Sequence, residues 1–403
     1  MASDDLWKRK IQAFLYTPPD KAVAPTGTEE RAKVLIAAAL NSQDVKVTIP
    51  PEVEEAVRIA KGLDIPPFVE EAPADVFRQE PCLTHPLSGE MCPLTGLTVD
   101  QSFLSNIPTL QESIINAVKE IRQKVEEKSA GRPDLLEKRI FLGLWRILPE
   151  MIREKEKERI QNETCRIGPL WGLLPADPRI PCCSVWDHAA IASAVAAALP
   201  NPAFLIFTIA SAQEFLTIAR RTQDFWMGSY LLSYLTWQAI KVIADAYGPD
   251  CFVYPSLRGQ PLVDWWLREE KGLDIPPPHL QQIRIANLPN RFTAIVPFTE
   301  QTLMLVKDAA EAAQRTFDAL AQDAQKAVER ALPYLRNDAA WRDIWENQRS
   351  SFTETLGVFW VILGWDRGSP NLDPVQKVEQ ALVQYRKLLT PRETVQVVEN
   401  FWT

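Results

Sequence analysis

Between Ala189 and Ala210 the chain reads AAIASAVAAALPNPAFLIFTIA, a run with no charged residue. Such a run has to leave water, and two prolines decide how. Pro200 and Pro202 cut it into halves, each short of the ~20 apolar residues that cross a bilayer. The alanine-rich first half suits a buried helix. Ala203–Ala210, a continuous apolar stretch, suits a buried strand. The run therefore predicts a helix-to-strand step near Pro202, and the sequence changes character on either side of it.

Before the step, apolar residues recur mostly at the helical period. Helices are expected near Leu6–Leu15, Glu29–Leu40, Pro51–Lys61, Thr109–Lys128, Pro133–Asn162 and Trp186–Leu199, joined by proline-rich connectors such as IPPFVEEAPADVFRQEPCLTHPLSGEMCPLTG. The first helix, KIQAFLYTPPDKA, carries Ile11, Phe14 and Leu15 on its apolar face and runs into Pro18-Pro19. The residue before a proline is pushed out of the α region, so the helix ends in a tight polar turn. That turn is either a wall of a functional site or a surface turn.

After the step, Ala203–Ala210, Cys251–Pro255, Arg291–Pro297 and Val358–Trp365 read as strands. A long helix with aromatic residues at Trp226, Tyr230, Tyr234, Trp237 and Tyr247, broken near Gly228, follows the first strand. An alanine-rich helix from Glu300 to Leu332 follows the third. The order strand, helix, strand, strand, helix, strand is the split βαβ, ferredoxin-like pattern. The expected class is α+β. A helical domain fills 1–200 and a ferredoxin-like domain fills 201–366, with a helical insert at about 333–356 and a helical tail over 367–403. KGLDIPP, at Lys61–Pro67 and again at Lys271–Pro277, is recurrent turn chemistry, because the flanking residues do not match.

Composition narrows the function. The chain has 403 residues, 46% hydrophobic content and a net charge of −8. It has material for sizeable cores and no global basic field to attract nucleic acid. The charge-dense segments KEIRQKVEEKSAGRPDLLEKR and MIREKEKERIQ are solvated helix faces or local RNA-touching patches. With 32 prolines, 15 glycines and no Gly-Gly pair, the phosphate-cradling loops of Walker or dinucleotide type are absent. Six cysteines without a CxxC pair or a signal peptide point to a reducing, cytoplasmic chain with no membrane partner. Cys82, His85 and Cys92 form a C-x2-H-x6-C spacing, a weak zinc candidate beside the plainer reading of idle thiols.

Four stretches together carry a resemblance. In IASAQEFLTIARRTQDFWMGSYLLSYL these are Gln213-Glu214-Phe215, Ala219-Arg220, Asp224, Trp226, Gly228-Ser229 and Leu231-Leu232-Ser233. The others are LPNRF (Leu288–Phe292), LPADPRIPCCSVWDHAAIASAVAAAL (Leu174–Leu199) and the opening segment, with HPLSG adding weaker support. In this order they are similar to the large subunit of type III-B (Cmr-type) CRISPR effector complexes. The resemblance implies an N-terminal HD-superfamily helical domain followed by the first of two palm domains. It also implies partners: the other subunits of the complex, with crRNA and target RNA held through it.

Two activities attach to that family, and the residues bear on both. Where nuclease members carry His-Asp, this chain has Tyr16-Thr17. Asp187 and His188 are kept, but Cys182-Cys183 precede them and the chain has three histidines in all. Metal ligation needs imidazole nitrogen and carboxylate oxygen, so the HD site is expected to be degenerate. The family's cyclic-oligoadenylate synthesis uses a GGDD motif in a second palm, and no GGDD occurs here. A truncated or split gene, or a palm that pairs with another polypeptide, is the expectation. In the split reading, ATP and magnesium would be held together with the partner palm. Ser211, Gln213, Arg220, Asp224, Gly228, Ser229, Asn290 and Arg291 are the candidates for nucleotide or palm contact. Each has a plain alternative: Trp226 in the core, Arg220-Arg221 on a salt-bridged face, Asn290 in a turn. Gly228-Ser229 would break the helix and expose backbone N–H groups to an anion. A scaffold-type large subunit is the first reading of function, the ATP-binding half of a split cyclase the second, and a nucleotide-binding regulatory protein unrelated to CRISPR the third.

Overall fold

The computed structural model describes residues 3–41, 47–64, 76–85, 88–129, 135–160, 166–210, 212–355 and 357–365. Ser211 and the segment 367–403 lie outside them. The chain divides into two compact units, one formed by 1–199 with 263–278, the other by 200–262 with 279–403.

The first unit is helical: α1 (Ser3–Leu15), α2 (Thr28–Leu40), α3 (Pro51–Asp64), α4 (Val76–Gln79), then a hairpin of β1 (Cys82–Thr84) and β2 (Met91–Pro93). It continues through α5 (Gln101–Ser105), α6 (Ile107–Lys128), α7 (Leu136–Arg159) and α8 (Val185–Ala198). The six helices expected from periodicity are present, with bounds a few residues from those read off the pattern. In α1, Trp7, Ile11 and Phe14 are buried at the i, i+4, i+7 spacing. The α6–α7 pair packs closely at Gly143, where a Cβ would lie 2.9 Å from Cγ2 of Ile121. The hairpin was hidden in a proline-rich connector, because three-residue strands leave no readable alternation.

The second unit contains β3 (Pro202–Ile209), α9 (Ala212–Thr217), α10 (Thr222–Tyr247), β4 (Phe252–Tyr254) and the start of α11 (Pro261–Glu269). It resumes with α12 (Leu280–Ile283), β5 (Arg291–Pro297), α13 (Glu300–Ala331), α14 (Ala339–Thr355) and β6 (Val358–Gly364). The four strands form one antiparallel sheet in the order β4-β5-β3-β6. Ala203, Leu205, Phe207 and Ile209 are buried, and Phe207 stacks on Phe292 of β5 at 4.7 Å. Ile206, on the alternate face, is 39% exposed. The continuous apolar run thus behaves as a half-buried antiparallel strand rather than one covered on both faces.

Two sequence expectations fail here for identifiable reasons. Helix α10 is continuous through Gly228 and Ser229, whose hydroxyl donates to the Phe225 carbonyl at 2.9 Å. Gly228 instead makes room for α9, since a Cβ there would meet Leu216 at 3.0 Å and Phe215 at 3.4 Å. The second surprise is residues 263–278, which fall within the stretch read as the palm yet belong to the first unit. Asp264 of α11 receives two 2.7 Å hydrogen bonds from the Arg146 guanidinium of α7, and both residues are buried. Leu273 packs near Gly143, and Asp274 lies 3.6 Å from Lys124 and 3.8 Å from Lys128.

The Arg146–Asp264 pair makes a sharp stability prediction. Arg146→Ala strands a buried carboxylate and should cost about 3–5 kcal/mol. Arg146→Met with Asp264→Leu, which removes both charges, should recover most of that loss. Chemical denaturation of the two variants beside the parent checks both.

Candidate functional site

The turn after α1 is built by its own hydrogen bonds. Lys21 N–H donates to the Pro18 carbonyl at 3.0 Å, and Ala24 N–H to that of Asp20 at 2.8 Å. The buried Asp20 carboxylate accepts from Gln111 Nε2 at 3.0 Å and lies 3.2 Å from Arg31 Nε. Opposite this turn, residues 174–177 pair with 183–185: Ala176 N–H donates to the Cys183 carbonyl and Val185 N–H to that of Leu174. Ser184 caps α8 by accepting from Asp187 N–H at 3.1 Å.

These elements enclose a depression of about 120 Å³, lined among others by Tyr16, Thr17, Lys21, Lys61, Asp177, Cys183 and His188. Tyr16, Thr17 and His188, far apart in sequence, are therefore brought together. Asp187 is not among the lining residues: it is exposed, and its carboxylate accepts from Ser184 Oγ at 2.8 Å.

The charges in the depression are those the motif reading missed. Asp177 Oδ2 lies 2.7 Å from Arg179 Nη2, 3.6 Å from Lys21 Nζ and 3.9 Å from Lys61 Nζ. Its Oδ1 accepts from Arg179 Nε at 2.9 Å and from the Arg179 backbone N–H at 3.0 Å. Burial acts to raise the Asp177 carboxyl, but the Arg179 hydrogen bonds and the Lys21 and Arg179 charges outweigh it. They hold it well below the usual carboxylate range. Burial lowers Lys21, with Asp177 opposing and Lys61 and Arg179 adding to the effect. Burial, then Glu54 and Glu29, raise the Tyr16 phenol, which keeps its proton at neutral pH.

A divalent ion asks for clustered carboxylates and imidazoles. Here the Asp177 carboxylate is already shared among three cations, and the Tyr16 phenol keeps its proton. Among the described residues no three His, Cys, Asp or Glu side chains converge.

The zinc candidate does not assemble either. Leu83 is the register partner of Cys92, so Cys82, one residue along the strand, points to the opposite face of the hairpin. Cys82 is buried while Cys92 is exposed, and the His85 Nδ1 accepts from Ser88 N–H at 3.1 Å.

In the second unit, Asn290 joins two strands at one end of the sheet. Its Nδ2 donates to the Ile209 carbonyl at 2.7 Å and its own carbonyl accepts from Ile209 N–H at 2.8 Å. This is the turn role for Asn290, and exposed Arg291 follows as the first residue of β5. Gln213 is exposed on α9. Asp224 accepts from the Arg221 N–H at 3.2 Å, capping α10. Arg220 and Arg221 are exposed and make no ion pair among the described residues, so the salt-bridged face is not seen. Trp226 is not a core residue: it is 45% exposed and stacks on Tyr230, which stacks on Tyr234, each at 6.1 Å. Ile218, Phe225 and Met227 beside it are more than half exposed.

An α+β chain of this build, a helical unit and a unit carrying a four-stranded antiparallel sheet with its sequence signature at the β3 end, defines a recognisable class. Residues 204–330 match the family described as CRISPR-associated protein Cmr2, N-terminal. The chain is 27% identical over 359 residues, 81% of its length, to the CRISPR system Cmr subunit Cmr2 of Pyrococcus furiosus. It is 33% identical over 107 residues to the Cmr2 subunit of Saccharolobus solfataricus. A cryo-EM structure of the type III-B Cmr-beta complex in its apo state has a chain similar over 96% of this one, with TM-score 0.55 and 18% identity. The same complex bound to cognate target RNA gives 94% coverage and the same score. Over most of its length the chain is similar to Cmr-type large subunits of CRISPR effector complexes. It spans 38% of the Pyrococcus relative and 41% of the apo-state chain.

The depressed Asp177 carboxyl has a pH signature. A lowered folded-state value stabilises the fold fully above the ordinary carboxylate range, near pH 4, and the contribution is lost as pH falls below it. Asp177→Asn should therefore lower stability by about 1–3 kcal/mol at pH 7. The gap to the parent should close as pH drops below about 4. Thermal unfolding followed across pH 2.5–8 reads this directly.

Proposed function

We propose that the chain acts as a non-cutting, scaffold-type portion of a type III CRISPR large subunit, in which the first unit is a degenerate HD-like domain and the second a ferredoxin-like first palm. The observation that carries this reading is the cation cluster around Asp177. Lys21, Lys61 and Asp177 line the same depression as Tyr16, Thr17 and His188, the positions the resemblance gives to metal ligands. The palm assignment is supported by the order β4-β5-β3-β6, the arrangement of two split βαβ units. The partners would be the other subunits of such a complex, with crRNA and target RNA held through the assembly. Its structural relatives, chains of a type III-B Cmr-beta complex in the apo state and bound to cognate target RNA, support this.

A second reading, the ATP-contacting half of a split cyclic-oligoadenylate synthase, is favoured by the exposed Arg220, Arg221 and Trp226 at the start of α10. Those residues fit a phosphate and an aromatic base. They do not supply a magnesium site, because Asp224 is engaged with the Arg221 backbone. ATP bound here would offer its phosphates to metal held on another chain.

The chain should not cleave single-stranded DNA with manganese or nickel, and His188→Ala should leave that null unchanged. Robust cleavage abolished by His188→Ala would overturn the non-cutting reading. Purified natively, the chain should bring crRNA with it. Arg220→Ala should leave crRNA recovery unchanged, whereas ATP-dependent product formation with a GGDD partner, lost in that variant, would favour the second reading.

A further inference from the structure

A second hollow in the first unit lies between α2 and α6 and shares no lining residue with the depression at the end of α1. It has two compartments that meet at Val34 and Ile115, one of about 400 Å³ and one of about 150 Å³. The helical period accounts for it. Leu35, Ile36 and Ala39 of α2 go into the core, while Val34, Ala37 and Ala38 stay partly open. Alanine side chains end at Cβ, so they leave the space between the helices unfilled. On α6, Ile115, Lys119 and Arg122 follow one another along the facing stripe at i, i+4 and i+7. The two ends differ in polarity. Leu35 and Ile114 supply an apolar floor to the smaller compartment, and on its rim Asp20 already accepts from Gln111 and pairs with Arg31. Exposed Glu30 leaves that end negative. At the far end of the larger compartment Lys119 is exposed and makes no ion pair or hydrogen bond among the described residues. Arg122, with 12% of its side chain exposed, gives Nη2 to Glu126 and keeps a buried Nε with no acceptor. The unmet polarity therefore sits at one end, and it is cationic.

We propose that this groove binds an amphiphilic anion of the fatty-carboxylate class, its headgroup at Lys119 and Arg122 and its chain running past Ile115 onto the floor of Leu35 and Ile114. The two compartments together fall in the size range of small-molecule pockets, ~300–1,000 Å³, and an apolar lining with a few convergent polar groups is the chemistry of such sites. Guanidinium and ammonium groups hold carboxylate oxygens through charge-assisted hydrogen bonds. The span sets the length of the ligand. From Ile115 to Arg122 the helix rises about 10 Å, at ~1.5 Å per residue, so a short acid reaches one end only. Glu30 opposes the reverse orientation. At the cationic end Glu126 opposes the headgroup, and Lys119 and Arg122 outnumber it.

The proposal is independent of whether the first unit cuts nucleic acid. Its probes are decanoate, butyrate, decan-1-ol and vesicles of phosphatidylglycerol, each titrated calorimetrically into the full chain. Decanoate should saturate a single site and bind at least tenfold tighter than butyrate, because each fully buried methylene is worth about fourfold in affinity. Lys119→Met should weaken decanoate about tenfold and leave decan-1-ol unchanged, a split that loss of packing would not produce. Filling or charging the floor, by Ala38→Phe or by Val34→Asp, should weaken both ligands. Vesicles should give no heat beyond dilution. Equal affinity for decanoate and butyrate, or decanoate binding untouched by Lys119→Met, would overturn the proposal. So would vesicle binding without binding of free decanoate, which assigns a membrane surface, and so would the absence of saturable decanoate binding, which leaves the groove to a helix of a protein partner.

Discussion

The first unit is organised around a helix whose second half has almost no surface in water. From Arg9 to Leu15 every residue of α1 is buried, although three of the seven are polar or charged. Lys10 is the extreme case. Its ammonium lies 4.7 Å from the centre of the Phe141 ring and 3.5 Å from the Ser193 carbonyl. A buried ammonium without such neighbours would be prohibitively costly, and a desolvated cation–π contact offsets ~2 kcal/mol of that cost. Trp7 against Phe141 and Phe14 against Trp186 tie the same helix to α7 and α8. The end of α1 therefore cannot shift without moving both neighbours. That is why the turn at Tyr16-Thr17 faces His188 whether or not a metal is there to draw them together.

What was legible in the sequence follows from period and length. Long helices such as α6, α7 and α13 repeat their apolar residues often enough to declare themselves, and β3, β5 and β6 are seven or eight residues of apolar, β-rich chain. Short elements carry no such signal, so the β1–β2 hairpin, α4 and α12 went unread. The return of residues 263–278 to the first unit depends on one arginine finding one aspartate 118 positions away, which no local pattern reveals. The same holds for the candidate site. Tyr16, Thr17 and His188 could be named from motif positions, whereas Lys21, Lys61 and Arg179 could not. They lie in the quoted stretches PPDKA, KGLDIPP and LPADPRIP, but nothing in those stretches says they meet.

Gly228 shows how a motif residue can be found correctly and explained wrongly. A glycine within a signature, next to a serine, suggests a broken helix with free N–H groups. Packing decides otherwise: Phe215 and Leu216 of α9 occupy the space a side chain would take, and α10 runs on unbroken. Holding α9 this close leaves the outward residues Ile218, Phe225, Trp226 and Met227 in water. An apolar cluster of this kind on a monomer surface marks an interaction site more often than chance exposure does.

The charge pattern at Asp177 argues from elementary electrostatics. Two unit charges 4 Å apart interact by about 4 kcal/mol at the effective dielectric of a protein surface. Lys21, Lys61 and Arg179 all approach one carboxylate within 3.9 Å, and for Lys21 the attraction of Asp177 exceeds the repulsion from Lys61 or from Arg179 taken singly. A doubly charged metal ion brought to Asp177 would be repelled by these three cations and would have to compete with them for the carboxylate they share.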